Sequence, residues 1–168
     1  SLIETWNDPH ARHAMLVHMP IVLGSLSILP IAGYAISKLK NTTLAATAIV
    51  MLVMASIGAG LAAGAGEEAE EKLEDAVALT ALEKAVIHEH EELGEGGWMW
   101  PLIPAVLLAG AVFIPKTPVR WGAVGLALIA SAGVGVWVAR TAHAGGQLVY
   151  VYGLGVPTFW TDNPVRTL

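Results

Sequence analysis

Six histidines are the residues of this sequence best suited to chemistry: His10, His13, His18, His88, His90 and His143. Neutral imidazole is a nitrogen ligand for haem iron, copper and zinc. Three of the six stand in PHARHAMLVHMP, at the mouth of the first long apolar run. His88 and His90 close a strongly acidic stretch, and His143 opens HAGGQLVYVYG, just after the last apolar run. The chain has no cysteine, so it can build no disulfide, thiolate metal site or iron–sulfur cluster of its own.

Histidines this far apart can share a site only if the fold gathers them. The 168 residues are 55% hydrophobic and 14% charged, with a mean hydropathy of +0.61. That composition is of an integral membrane protein. Ala14–Ser37, Thr42–Gly66, Gly96–Pro115 and Trp121–Ala139 contain no Asp, Glu, Lys or Arg. Each is near the roughly 20 residues a helix needs to cross about 30 Å of hydrocarbon. Backbone groups in lipid must bond within their own segment, so the spans are helices. The first run is too long for a signal-peptide core and lacks a basic leader, so it counts as a span. Asn7-Asp8-Pro9 reads as a capped helix start, and Pro20 and Pro30 are candidate kinks.

Between the second and third spans lie all the acidic residues except Glu4, Asp8 and Asp162. Leu73, Val77, Thr80, Lys84 and Ile87 follow a 4-3-4-3 rhythm, widened by Leu79, Leu82 and Val86. This predicts one amphipathic helix, about 67–93, at the water interface. Gly94, Gly96 and Gly97 end it. Trp98, Trp100, Trp121 and Trp160 suit an aromatic belt. The expected fold is all-α: a polytopic membrane four-helix bundle in one domain, 1–168, with spans about 14–37, 42–66, 96–115 and 119–141.

The two short connections carry Lys38, Lys40, Lys116 and Arg120 and no acid. By the positive-inside rule they face the cytoplasm. Both termini and the acidic helix are then outside, and four crossings bring all six histidines to that side. The cytoplasmic half has none. His18, within an apolar span, is the most informative candidate, because ionisable residues in membranes are functional by default. His143 is its preferred partner, with His13 and His88 next. His88 and His90 point in different directions on one helix, so at most one faces the bundle, and the pattern does not choose between them. His10 is expected in solvent.

The quoted ends carry a resemblance. HAMLVHMPIVL with the later HAGGQLVYVYGLGV resembles DUF2231, a family of bacterial membrane proteins of no settled activity. His13 takes the place of the family's first histidine, with Ala14 where the family has proline. His18, Pro20 and Ile21 match its first span, with Met19 for a phenylalanine. His143, Gly145, Gly146, Val149, Tyr150, Gly153 and Val156 match its tail. The resemblance implies a four-helix domain in the bacterial cytoplasmic membrane. Fusion of some members to Rieske-type domains points to electron transfer.

Three functions compete. The first is a b-type haem protein or redox-complex subunit, with one or two haems on His18, His143, His13 and His88, exchanging electrons with a quinone or a c-type cytochrome. The acidic helix would steer a basic cytochrome. The second is a copper or zinc site on His18, His143, His13, His88 and His90, helped by Met15, Met19, Glu91 or Glu92. The third is a cofactor-free subunit of a larger membrane complex or homo-oligomer. A self-contained enzyme has less support: no Gly-x-Ser-x-Gly, P-loop or dinucleotide fingerprint occurs. Ser25, Ser27, Ser37, Ser56 and Ser131 are expected to bond to backbone. No basic stripe suggests nucleic acid as a partner.

Overall fold

A computed structural model describes residues 2–155; Val156 and Trp160 lie outside the described residues. Helix α1 (Leu2–Asn7) precedes α2 (Pro9–Leu16), whose start is set as the sequence suggests: Asp8 accepts the His10 backbone N–H at 3.4 Å, and Pro9 occupies the first turn. Pro20 has no N–H and its ring crowds the carbonyl one turn back. The chain answers with a π-helical stretch, Pro20–Gly24, before α3 (Ile28–Ile36). Then come α4 (Thr42–Ala76), α5 (Ala81–Gly94), a 3-10 turn at Gly97–Met99, α6 (Leu102–Phe113) and α7 (Thr117–Tyr150).

The expected single helix over 67–93 does not form. Residues 67–76 prolong α4, the chain breaks, and Thr80 starts a new helix. The Thr80 hydroxyl accepts the Glu83 N–H while the Glu83 carboxylate accepts the Thr80 N–H at 2.8 Å. Thr80-x-x-Glu83 is a capping box; its threonine is a helix start rather than part of an apolar face. The fourth helix likewise runs beyond the expected end at 141, to Tyr150. At 1.5 Å per residue, α4 and α7 are each about 50 Å long, roughly 20 Å more than the hydrocarbon needs.

Among the described residues, four helical stretches are long and apolar enough to cross a membrane. The first packs on α4 and α7, α4 on α6, and α6 on α7, closing a ring. Ile31, Tyr34, Leu52, Leu108 and Val124 fill one half of the core, and Ala45, Ala48, Ala105, Ala111 and Ala127 let the helices approach. Outward, Ile36, Val106, Phe113 and Ile129 are exposed apolar side chains suited to lipid. Trp98, Trp100 and Trp121 are exposed as well, as an aromatic belt requires. Ser27, Ser37 and Ser56 donate to the carbonyls of Gly24, Tyr34 and Trp98, and Ser27 also meets Ser131 at 2.9 Å.

The end opposite α5 is closed by a side chain rather than by glycine. Lys38 and Leu39 both adopt left-handed backbone conformations (φ 55° and 62°) in the turn between α3 and α4, a region unfavourable for residues with a Cβ. Arg120, from the start of α7, donates to the Leu39 carbonyl at 3.1 Å and to the hydroxyl of fully buried Tyr34. Its guanidinium also sits 5.7 Å from the Tyr34 ring centre. One cation thus ties the two short connections together.

Beside the π-helical stretch the first helix packs closely on α4 at Gly58, where an added Cβ would lie 2.4 Å from the Met19 Cβ. Gly58→Val is therefore expected to destabilise the bundle by about 1–3 kcal/mol. A lower midpoint in a detergent thermal-unfolding assay, with Gly133→Val unchanged at a glycine with open space around it, is the check.

Candidate functional site

Because α4 and α7 outrun the lipid layer, their last turns stand free for other helices to lean on. Helix α2 lies against α4, and α5 against α7. Arg12 pairs with Glu68, and Lys72 reaches Asp8 at 3.1 Å, fastening α2 to α4. Burial alone would raise the Asp8 carboxyl, but the Lys72 hydrogen bond and charge, with help from His10, hold it below the ordinary range. On the other side the Trp137 indole donates to the Leu93 carbonyl at 2.8 Å and fixes the end of α5 on α7.

Two of the six histidines face one another inside this four-helix cap. His13 of α2 and His90 of α5 have ring centres 6.1 Å apart, with planes at 83°. His13 Nδ1 lies 2.8 Å from the Ala62 carbonyl oxygen. A carbonyl only accepts, so neutral His13 carries its proton on Nδ1 and its lone pair on Nε2. That is the arrangement of metal-ligating histidines, whose second nitrogen donates to a carbonyl or carboxylate. His90 Nδ1 is buried and has no hydrogen-bond partner. Buried polar groups are seldom left so, and the same nitrogen is a free donor atom for a ligand.

Glycines shape the cradle. A Cβ at Gly145 would come within 2.9 Å of His90 Cε1, and one at Gly66 within 3.1 Å of His13 Nδ1. Each of α2, α4, α5 and α7 therefore contributes a necessary part. Withdrawal from water, then the nearby His13, push His90 below the usual imidazole range, and a backbone hydrogen bond at Thr141 works the other way.

The remaining histidines are placed differently. His18 is exposed and bonds the Ala14 carbonyl of its own helix at 2.7 Å. His143 is exposed, 3.4 Å from the Gln147 side chain one turn on. The structure thus gives the two preferred candidates partners on their own helices, and brings His13 and His90 together instead. His88 is exposed between Glu91 and Glu92, each 3.4 Å away. His10, expected in solvent, is half-buried; its ring lies where a Cβ on Gly155 would come within 2.9 Å. Among the proposed helpers, Met15 is exposed and Met19 packs on Gly58. Among the described residues, no three His, Asp or Glu side chains are grouped to hold a metal ion.

The choice between His88 and His90 had a signal in the sequence. Counting from the Thr80 cap, buried Ile87 is followed three residues later by His90, on the same face. The Ala62 carbonyl and Gly66 had none, since neither residue type announces a site.

Fold and site together define a helical membrane protein with an interhelical histidine pair in an extension of its bundle. The family model for predicted membrane proteins (DUF2231) matches residues 9–158, and the chain belongs to that family. No curated protein and no solved structure matches.

The sign of a pH effect follows from His90. Its folded-state affinity for protons is below that of the unfolded chain, so its contribution is present in full above the unfolded pKa near 6.5 and is lost as pH falls through the folded value. Thermal midpoints are expected to drop between about pH 7.5 and 5.5, with a shallower drop in His90→Asn.

Proposed function

We propose that this chain is a b-type haem electron-transfer protein, or redox-complex subunit, of the bacterial cytoplasmic membrane, in which His13 and His90 would hold the haem iron. The histidine end and both termini face outward. The supporting observation is the His13–His90 pair, held between separate helices with one tautomer fixed and one nitrogen unpartnered.

The number of donors favours haem over a bare ion. Structural zinc is almost always held by four ligands. Haem iron draws its equatorial donors from the macrocycle and asks the protein for one or two axial ones. The His13 and His90 rings come from separate helices and lie 6.1 Å apart, centre to centre. Haem would supply one-electron chemistry there; the chain sets the His13 tautomer through the Ala62 carbonyl and brings His90 to it on α5. With its centre at one end, the protein exchanges electrons at that face, with a quinone or a c-type cytochrome, rather than carrying them through the membrane.

The test is an absorption spectrum of the purified detergent-solubilised protein, oxidised and then reduced with dithionite. A Soret band is expected, lost in His13→Ala and His90→Ala and retained in His18→Ala and His143→Ala. Absence of a Soret band and of extractable haem overturns the reading. Stoichiometric copper or zinc by elemental analysis would then identify a bare-ion site. Impaired complex assembly without any cofactor would identify a structural subunit.

A further inference from the structure

On the far side of α4 from the histidine pair runs an open groove of about 680 Å³, a size common among small-molecule sites. Gly60 and Gly64 line it; at about 100° per residue they lie roughly 160–200° round the helix from Ala62, whose carbonyl holds His13. The groove and the pair are thus separated by one helix, about 10–12 Å across.

Three features define what fits. The floor is bare: a Cβ on Gly64 would meet nothing within 4 Å, and one on Gly60 would meet only Trp98, at 3.9 Å. Trp98 stands beside this floor, its Cβ 3.9 Å from where a Gly60 Cβ would lie, and the bare glycine surface leaves room for a flat ring. The sides, Ile57, Leu61 and Leu102, are apolar, and Ile57 and Leu61 are half-exposed on the surface suited to lipid. At the α5 end stand two carboxylates, Glu67 and Glu95. Ionised carboxylates only accept hydrogen bonds, so they suit a head group that donates them and repel a phosphate.

We propose that this groove binds an isoprenoid quinol: its flat ring on Gly60 and Gly64 against Trp98, its hydroxyls toward Glu67 and Glu95, its tail along the apolar sides into the bilayer. A quinol combines a planar head, two hydroxyl donors and an apolar chain, one for each feature. The inference rests on the haem reading for the use made of the quinol's electrons, and names the donor and its seat; the binding itself stands apart from haem.

The full chain in detergent, prepared without added haem, is titrated calorimetrically with decylubiquinol and with decylubiquinone. One saturable site for the quinol is expected. Gly64→Leu should weaken it by about tenfold or more, by filling the slot. Because Gly64 borders open space, this variant should fold, and an unchanged thermal midpoint verifies that. Glu67→Gln combined with Glu95→Gln should weaken the quinol about fivefold or more, through lost charge-assisted hydrogen bonds, and the quinone less. The proposal fails if the quinol does not saturate beyond micelle partitioning, if Gly64→Leu binds as tightly as the parent, or if phosphatidylethanolamine displaces the quinol. A missing Soret band with saturable binding removes the haem and leaves the groove; a Soret band without binding does the reverse.

Discussion

A hydrocarbon layer about 30 Å thick accepts only about 20 residues of each helix, and two helices of this bundle have 35 and 34 residues. That mismatch governs the architecture. The surplus turns of α4 and α7 cannot be solvated by lipid and do not stay bare. They become two posts, one carrying α2 through the Arg12–Glu68 and Lys72–Asp8 pairs, the other carrying α5 through Trp137. The cap is a second small bundle built in series with the first, and the facing histidines sit in it.

The two ends of the molecule solve the same problem with different chemistry. At the short-loop end, two non-glycine residues occupy left-handed conformations, held by a guanidinium that also engages a buried tyrosine. Charge there sets local backbone geometry as well as any topology rule. At the cap, oppositely charged pairs link elements far apart in sequence. Surface ion pairs are individually weak, so burial of Ala62, Ala65, Ala69 and Ile87 in the cap does the larger share of holding it together.

Much of this was legible in the sequence. Long uncharged runs fixed the four helices, because the cost of burying charge in lipid is large and local. Asp8-Pro9 announced the start of α2 for the same reason of locality: a cap acts within a few residues. The gathering of His13 and His90 at one end followed from an even number of passes. What stayed hidden was rotational. The step of three from Ile87 to His90 was readable, but which face of α5 meets α7 was not, because the Thr80-Glu83 capping box that starts this helix sits inside a run that also reads as one continuous amphipathic helix. His18 looked the strongest ligand because it lies in an apolar run; its ring is exposed and its Nδ1 bonds the Ala14 carbonyl one turn back, a placement that leaves no trace in residue spacing.

The interruptions on either side of α5 have a bearing on assembly. Non-helical residues precede Thr80, and left-handed Gly96 follows the last turn. The segment bearing His90 is therefore independent of the axes of α4 and α6 and packs on α7 in a direction of its own. Assembly of the cap thus asks no bend of either neighbouring helix.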